Sequence, residues 1–530
     1  MAIRISNFRT SIDEPESALP ERLRSLAGPC RHRILRKALD ARDAAHLEFV
    51  YTLELCSDDD EALYSRLVRR KTLQVDRWQE QPFVPPMPGS RPLDHRPVIV
   101  GSGPGGLAAA CFLAEQGYAP LVLERGTPVS QRIRDVAAFD AGGPHNPESN
   151  YLFGEGGAGT FSDGKLTYRG SGPDVRYILE LFAACKGKPS IVYEARPHLG
   201  SNRLPAVVKA MRQRIEAHGG EVRFGCRVED LDLVDGHIRG VMTSSGYIAA
   251  QVVLLAIGHS ARDTFEMLAR RGVPMQQKPF QFGVRIEQPQ ETVNRVHYGE
   301  ARLEERLGAA SYALVAHGKH DLFTFCMCAG GYIMPSVSEP DAFCTNGMSL
   351  SKHDSPYANS GLVVTLPTSA FGSNDPLAGM RLQQHYERIA YELGGRDYRC
   401  PVQAATDYLA GRVSAAPPKT SYPREMVRVD LRQVLPPLVA EAVLEGLPIM
   451  DRRWRGRFVR EAALVGPEAR GSSPIRILRD DTTRMSPAWS GLYPVGEGAG
   501  YAGGIVSAAL DGLRSAMAVV ARYAPLSQPP

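Results

Sequence analysis

The strongest constraint on the fold of this chain is the segment 97–125, whose sequence is PVIVGSGPGGLAAACFLAEQGYAPLVLER. Its apolar start, the Ala- and Leu-rich stretch that follows and the apolar run Leu121–Leu123 predict strand, helix and strand. Gly101, Gly103 and Gly106 have the GxGxxG spacing. The first glycine permits a tight turn, the second lets the backbone approach a pyrophosphate, and the third lets helix and strand pack closely. The segment therefore predicts a dinucleotide-binding unit.

The surroundings of the motif carry the prediction, because the spacing alone is a weak signal. It occurs three times, at 101–106, 154–159 and 498–503, and only the first copy lies between an apolar strand and a helix. Amide groups at the start of that helix are expected to face phosphates. Glu124 ends the second strand, where a carboxylate can accept hydrogen bonds from ribose hydroxyls. It would repel a 2′-phosphate, so FAD or NAD is expected rather than NADP.

The composition is that of an ordinary soluble enzyme. The chain has 530 residues, 43% hydrophobic and 23% charged, with a net charge of +4. The length allows about two to four domains, and the small charge imbalance points to no polyanionic partner. The nine cysteines lack the spacing of a disulfide framework, which favours reduced thiols over disulfide bonds. The amino terminus lacks a signal-peptide core, and no run of about 18 apolar residues occurs, so we expect a cytoplasmic protein without a membrane span.

The order of predicted elements divides the chain into four parts. Residues 1–90 alternate short strands and helices before a proline-rich linker, and predict a small ferredoxin-like α+β module. Residues 91–264 predict the first part of a Rossmann-like α/β domain for the dinucleotide, which resumes at 486–530. Residues 265–485 change to strand-like pieces at 281–287, 322–334 and 361–367 with later helices, and predict an inserted α+β substrate domain.

The N-terminal module leaves two interpretations open. Its segment 22–42 is rich in arginine, a feature of nucleic-acid-binding modules. Aromatic residues do not interleave with these charges, which favours a solvated face or a docking surface for the nucleotide-binding domain. Nucleic acid is thus not the expected partner, and RNA modification stays as an alternative.

Two further glycine-rich segments are expected to hold a ligand against the backbone. Residues 151–166, YLFGEGGAGTFSDGKL, combine glycines with side chains that offer donors and one cation, and a purely structural loop is the alternative. Residues 491–495, GLYPV, predict a buried strand that delivers Gly496 and Glu497 to its carboxyl end, before a helix from about Ile505. A ligand at strand ends, met by a helix start, is the general site of open α/β sheets.

Several motifs together resemble a known family. GSGPGG, the Glu124–Arg125 pair, LLAIGHSARD and GLYPVGEGAGYAGG resemble FAD-containing proteins of the glutathione-reductase-like superfamily. Nearly the whole chain, from RKALDAR near Arg36 through FGEGGAGTFSDGKL and FCMCAGG to the C-terminal helix, resembles a bacterial family of largely uncharacterised FAD-dependent dehydrogenases. Two departures from the family pattern, Ala329 for proline and Gly471 for threonine, lie in the predicted substrate domain. The resemblance implies one bound FAD and no particular substrate.

The expected cofactor contacts combine the resemblance with the glycine-rich segments. The resemblance implies Gly101, Gly103, Gly106, Glu124, Gly258, Gly496 and Glu497. The remaining expected contacts are Pro104, Gly105, Arg125, Gly157, Thr160, Ser162, Asp163, Gly164, Lys165, Val228, His259, Gly503, Gly504 and Ile505.

FAD carries the hydride step, so the protein must position a substrate and move a proton. Lys165, His259 and His353 are the candidate acids or bases, and Arg285 is the candidate anchor for a substrate anion. No second strand–GxGxxG–helix unit occurs, so the electron partner is expected to bind transiently: NAD(P)H, oxygen, a quinone or a carrier protein.

The cysteines give weaker signals. Cys326 and Cys328 lie two residues apart, which allows a dithiol relay. On one strand face their Cα atoms would lie about 6.6–7 Å apart, at or beyond the limit for an unstrained disulfide, so pocket-lining or buried thiols are favoured. Together with Cys344 and His353 they have no familiar ligand spacing, so no metal is expected.

The sequence thus predicts an FAD-dependent oxidoreductase, of dehydrogenase or oxidase type, acting on a small organic molecule. An RNA-modifying flavoenzyme and a flavin-holding sensor without turnover are the alternatives.

Overall fold

The structure is a computed structural model that describes residues 2–42, 46–70, 72–299 and 301–526, with the backbone alone at 301 and 302. The amino-terminal part contains β1 (Ala2–Ser11), α1 (Leu19–Ala27), β2 (Arg31–Asp40), β3 (Glu48–Cys56), α2 (Asp60–Val68) and β4 (Gln74–Trp78). Its sheet has the order β2-β3-β1-β4 with antiparallel neighbours, which is the arrangement of a ferredoxin-like module. This part of the predicted fold class is confirmed.

Part of the arginine-rich segment of this module is charge-paired. Arg33 donates to Glu54 over 2.5 Å and to Glu80 over 2.9 Å, and Lys37 bonds Glu16 over 2.7 Å. The edge strand β2 also docks on the rest of the chain, because the Lys37 amide donates to the Tyr193 carbonyl over 2.8 Å. Paired charges attract phosphate less than free ones. The geometry therefore favours a docking surface over a nucleic-acid surface.

The nucleotide-binding part and the inserted part follow in chain order. The first contains β5 (Val98–Val100), α3 (Pro104–Glu115), β6 (Leu121–Leu123), α4 (Val129–Asp140), α5 (Pro173–Ala184), α6 (Leu204–Ala217), β7 (Glu221–Arg223), β8 (Val228–Val234), β9 (His237–Thr243), β10 (Gly246–Ala249) and β11 (Val253–Leu255). The second contains α7 (Arg262–Arg270), β12 (Met275–Gln277), β13 (Phe280–Pro289), α8 (Gln290–Tyr298), α9 (Ala301–Leu307), β14 (Val315–Ala316), β15 (Leu322–Cys328), β16 (Gly331–Pro335), β17 (Thr345–Ser349), β18 (Tyr357–Leu366), α10 (Ala378–Leu393), β19 (Cys400–Ala404), α11 (Ala405–Leu409), β20 (Met426–Arg428), α12 (Pro437–Arg453), β21 (Ala463–Glu468) and β22 (Ile475–Ile477). The chain then returns with β23 (Leu492–Pro494) and α13 (Ile505–Arg522).

A parallel five-stranded sheet, in the order β23-β11-β5-β6-β7, supports the cofactor-binding edge. The residues of β5, β6, β11 and β23 are all buried and apolar, as strands covered on both faces require. Helices α3 and α13 pack so closely that a Cβ at Gly512 would lie only 2.0 Å from the Gly105 carbonyl oxygen. A glycine at position 512 makes this close approach possible. The carboxyl ends of β5, β11 and β23 thus lead into glycine turns at one edge. The predicted Rossmann-like core is confirmed.

The inserted part is built on a seven-stranded sheet in the order β14-β15-β18-β13-β21-β19-β20. The segment 322–334, predicted as one strand-like piece, is two strands in two sheets, since β16 pairs with β17 and not with β18. Positive φ values at Cys326 (44°) and Gly330 (48°) turn the chain between them. The domain boundaries at residues 90, 264 and 485 stay predictions. Among the described residues, no helix is long and apolar enough to cross a bilayer.

Candidate active site

A cleft with a cavity volume of about 420 Å³ opens at the carboxyl edge of the parallel sheet and reaches β15 of the inserted part. Three glycine segments line it, at 101–105, 157–164 and 496–504. The first two segments lie close together: a Cβ added at Gly157 would be only 3.2 Å from the Cα of Gly103. The segment 151–166 is therefore part of the same site as the GxGxxG turn.

Gly103 presents bare backbone to the open cleft. It is the residue before α3, and a Cβ added there would meet no protein atom within 4 Å. The first amide groups of α3 have no intrahelical acceptor, so this end of the helix suits a phosphate group. Gly106 has a different role, since a Cβ there would lie 2.0 Å from the Gly101 carbonyl oxygen. It allows the helix to pack against the turn.

Glu124 organises the loops around the turn. Its Oε2 accepts from the Ser102 amide (3.0 Å) and hydroxyl (2.6 Å), and its Oε1 accepts from the Gly126 (2.9 Å) and Gly154 (3.1 Å) amides. These donors occupy the four lone-pair directions of a carboxylate. A ribose hydroxyl that bound Glu124 would have to share these carboxylate lone pairs with the four protein donors.

Most of the predicted contacts do line the cleft. Those that line it are Gly101, Gly103, Pro104, Gly105, Glu124, Arg125, Gly157, Ser162, Asp163, Gly164, Lys165, Val228, Gly258, His259, Gly496, Glu497, Gly503, Gly504 and Ile505. Gly106 and Thr160 do not, and the Thr160 hydroxyl is buried and donates to the Glu155 carbonyl over 2.9 Å. Thr160 therefore holds the loop and does not face a ligand.

Two ionisable groups at the cleft have strongly shifted pKa values. Burial raises the pKa of Glu497 to about 7, and the opposing effects of Lys278 and the Ser473 amide are weaker. Burial, with the positive charges of Arg470 and Arg262, lowers the pKa of His259 to about 4. At neutral pH, His259 is therefore an uncharged imidazole, and Glu497 is poised to hold or release a proton.

We expect Glu497→Gln to flatten the pH dependence of stability in the flavin-free protein. The raised pKa means that the native state holds this proton more tightly than the unfolded state, so its contribution is full below about pH 4.5 and is lost as the pH rises through 7. Wild type should lose about 1 to 3 kcal/mol from this group between pH 5 and 8, and the variant should not. Urea unfolding at both pH values measures the difference. Parallel pH curves for the two proteins would contradict the assignment.

Lys165 and Asp163 form an ion pair at the inserted-domain end of the cleft. The Lys165 Nζ lies 2.8 Å from Asp163 Oδ2 and also donates to the Met327 carbonyl. Burial alone would lower the pKa of Lys165, but the acidic groups Cys328 and Asp163 outweigh it and the pKa is raised. The Lys165 side chain is 44% exposed and lines the cleft. It therefore offers an ammonium group to a ligand.

Cys326 lies across the same end of the cleft and differs from Cys328. Its side chain is exposed and lines the cleft, whereas Cys328 is fully buried and donates its Sγ to the Cys326 carbonyl over 3.3 Å. The surrounding protein desolvates both thiols and raises their pKa values, so both stay protonated at neutral pH. All nine cysteines are free. The arrangement agrees with one pocket-lining and one buried thiol.

Arg285 does not serve as an anion anchor, which corrects the expectation from sequence. Its side chain is fully buried, and all of its N–H donors have partners: Glu468 (2.6 and 2.7 Å), Asn359 (2.7 Å), Asn346 (3.0 Å) and the Cys326 carbonyl (3.3 Å). No donor remains for a substrate. Arg285 instead fixes the backbone of the β15 bulge that presents Cys326.

His353 also lies outside the cleft, behind the Lys165–Asp163 pair. Its Nδ1 is 2.8 Å from the Ala329 carbonyl, and its Nε2 is 3.1 Å from Nδ1 of His198. It can therefore act on a ligand only through other groups. His198 was missed because neither a glycine motif nor a spacing marks it, and only the paired segments 164–166 and 197–199 bring it to Asp163.

The inserted domain adds cleft-lining residues that were not among the predicted cofactor contacts or candidate acids and bases. They are Phe325, Cys326, Asn346, Gly347, Arg470 and Gly471. They come from segments far apart in the sequence, so no local spacing could have grouped them. Gly471 was noted as a departure from the family pattern, and its position here places that departure at the cleft.

Comparisons with protein families agree with this architecture. The model for an FAD-dependent protein, C-terminal domain-like, matches residues 279–471. The NAD(P)-binding Rossmann-like domain matches residues 99–158, and the FAD dependent oxidoreductase family matches residues 200–318. An uncharacterised protein of Clostridium beijerinckii is 38% identical over 533 residues, covering 99% of each chain.

The similarity to solved structures is distant. Glycine oxidase from Bacillus cereus is 11% identical, with 80% of this chain and 94% of that chain covered and a TM-score of 0.31. L-proline dehydrogenase from P. horikoshii is 12% identical, with 81% and 93% covered and a TM-score of 0.32. Scores at this level carry no argument about substrate. From the family matches and the full-length relative, the chain belongs, together with the Clostridium beijerinckii protein, to a family of FAD-dependent oxidoreductases.

Proposed function

We propose that the protein transfers a hydride between FAD, lying along the cleft, and a small organic molecule held against β15. The observation that carries this proposal is the continuity of the cleft, which runs from bare backbone at Gly103 to the side chains of Lys165 and Cys326. A nucleotide-binding edge and a polar end contributed by a second domain are what a flavin and its substrate require.

The glycine segments suit the two ends of FAD. We assign the diphosphate to the backbone at Gly103 and the start of α3, because a helix N-terminus and an open glycine favour an anion. We assign the flavin end to Gly496, Glu497 and the start of α13, where Gly503 and Gly504 also line the cleft. The positive end of the α13 dipole would stabilise negative charge on the reduced ring.

Bound FAD supplies the hydride chemistry, and the chain's own residues position the substrate and handle its proton. Lys165 can hydrogen-bond a substrate oxygen or nitrogen and exchange a proton with it at Nζ. Cys326 and Phe325 form the opposite, less polar lining. The identity of the substrate and of the electron partner stays open within this proposal.

Lys165→Met is expected to retain FAD and to lose turnover. Loss of the proton-handling group should slow anaerobic flavin bleaching by about 100-fold or more. Stopped-flow absorbance with a panel of amino acids, hydroxy acids and NAD(P)H measures this. Lys352→Met removes an exposed lysine near His353 and is the matched control, with wild-type bleaching expected. A wild-type protein that holds FAD but is bleached by no donor would favour the sensor alternative instead.

The RNA-modifying alternative receives less support from the paired charges of the N-terminal module. It predicts salt-sensitive RNA binding that is lost on charge reversal at Arg31, Arg33 and Arg36. Filter binding at low salt tests this alternative. Retention of RNA by the wild-type protein but not by the charge-reversed variants would support it.

A further inference from the structure

Four ionisable side chains lie in a row from the cleft toward the surface. Lys165 Nζ is 2.8 Å from Asp163 Oδ2, which is 3.4 Å from His198 Nε2. His198 Nδ1 is in turn 3.1 Å from His353 Nε2, and the two rings lie 4.1 Å apart between centroids. Lys165 lines the cleft, whereas His353 is half-buried between two exposed residues, 352 and 354. The row thus joins the candidate active site to solvent.

The neighbouring groups fix which atoms carry protons. The Ala329 carbonyl can only accept, so His353 Nδ1 carries a proton and donates over 2.8 Å. Burial and the neighbouring His198 lower the pKa of His353, so its Nε2 presents a lone pair. His198 Nδ1 then donates to that lone pair, and its Nε2 faces the Asp163 carboxylate. The proton that lies between the two imidazole rings is therefore bonded to Nδ1 of His198.

Asp163 is held as a carboxylate by its surroundings. Burial would raise its pKa, but the adjacent His198 ring and the Lys165 charge outweigh burial and lower the pKa far below its usual range. The Ser349 hydroxyl donates to its other oxygen, Oδ1, and also lies 3.4 Å from His198 Nε2. Each of the four ionisable groups thus has a neighbour that can give it a proton or take one.

The same side chains also bring ligand atoms for a cation together. One atom each of Asp163, His198 and His353 lies within 4.8 Å of the others. The Lys165 ammonium already neutralises Asp163, and a divalent cation beside it would be repelled. The charges therefore favour a proton network over a metal site.

We infer that Lys165, Asp163, His198 and His353 form a proton path between the cleft and the surface. This rests on the proposed function: oxidation of a substrate H–C–X–H group sends two electrons and one proton to FAD as a hydride, and the X–H proton remains. Lys165 Nζ takes that proton as it passes one to Asp163 Oδ2. Asp163 passes that proton to His198 Nε2 as His198 gives its Nδ1 proton to His353 Nε2, and His353 releases one proton to water. The row holds the same number of protons before and after, and reduction of a substrate would use the path in reverse.

The other charged or titratable groups at the path are few among the described residues. Cys326, Cys328 and Arg285 act electrostatically on or beside Lys165, and both thiols stay protonated at neutral pH. Changes at and below neutral pH should therefore report His353, whose pKa is lowered by burial and by the neighbouring His198.

The first test is histidine NMR on the resting, FAD-loaded full chain, labelled with ¹⁵N-histidine. We expect His198→Gln to move the titration of His353 to higher pH, because the neighbouring His198 lowers the pKa of His353. His218→Gln is the matched control, because His218 Nδ1 also lies 2.8 Å from a carbonyl, that of Arg214, and it contacts no second histidine among the described residues. Titration of His353 at the same pH in wild type and in His198→Gln would overturn the path. So would stoichiometric Zn²⁺ binding at micromolar concentration with loss of both signals.

The second test measures proton delivery without a natural substrate. Dithionite-reduced enzyme is mixed with 1,4-benzoquinone, which takes up a hydride and one proton, in H₂O and in D₂O. We expect His353→Gln to slow reoxidation about tenfold or more, with a changed pH profile and partial rescue by added imidazole. Unchanged rates and isotope effects in His353→Gln would overturn the path. Failure to find an organic substrate would contradict the proposed function but not the proton path, because neither of these two tests uses a natural substrate.

Discussion

Gly103→Val is expected to yield a folded protein that has lost FAD. A Cβ added at this position has no protein atom within 4 Å, and the backbone is extended with φ −70°, so we expect the fold to tolerate the change. The valine side chain occupies the space assigned to the diphosphate and should weaken FAD binding by about 100-fold or more, which corresponds to about 2.7 kcal/mol. The ratio of flavin to protein absorbance after purification, with a thermal melt beside it, measures both outcomes.

A neighbouring glycine provides the matched control. Gly106→Ala places a Cβ 2.0 Å from the Gly101 carbonyl oxygen, so it should destabilise the turn itself and lower the melting temperature. A Gly103→Val protein that holds flavin as well as wild type would show that the diphosphate lies elsewhere.

Glu387→Gln is expected to cause a large loss of stability. The buried Glu387 carboxylate accepts four hydrogen bonds from Arg262 and Arg470, at 2.8, 2.8, 2.9 and 2.6 Å. Removing its charge leaves the buried Arg470 guanidinium without a carboxylate partner and leaves Arg262 with Glu339 alone, which costs about 3 to 5 kcal/mol. Urea unfolding measures the loss.

The stabilisation that Glu387 provides depends on pH in one direction. Burial would raise the pKa of Glu387, but Arg262 and Arg470 outweigh it and lower the pKa to about 2. Its contribution is therefore full above about pH 4.5 and is lost as the pH falls toward 2. Glu339→Gln is the control, because Glu339 also pairs with Arg262 but is 29% exposed, so a loss of about 1 kcal/mol or less is expected. Equal losses in the two variants would contradict the assignment.

The sequence was most informative where local rules decide the structure. The GxGxxG turn, the buried strands around it and the helix at Ile505 follow from spacing and periodicity, and the structure places each of them as predicted. The strand Gln74–Trp78 was not predicted, because it is a short edge strand without alternating burial. The strand-like segment 322–334 was misjudged because its bend comes from positive φ values at Cys326 and Gly330, which apolar composition does not show.

The chain's glycine spacing, apolar strands and family motifs by themselves determined that it binds FAD on a Rossmann-like core. Only the tertiary structure decided what the polar residues do. Arg285 looked like an anion anchor in sequence, but it is enclosed by Glu468, Asn346 and Asn359 from three other strands or loops. His198 had no signal, yet it lies between Asp163 and His353. The reason is physical: backbone conformation depends on neighbouring residues, whereas the role of a charged side chain depends on partners that only folding brings within hydrogen-bonding distance.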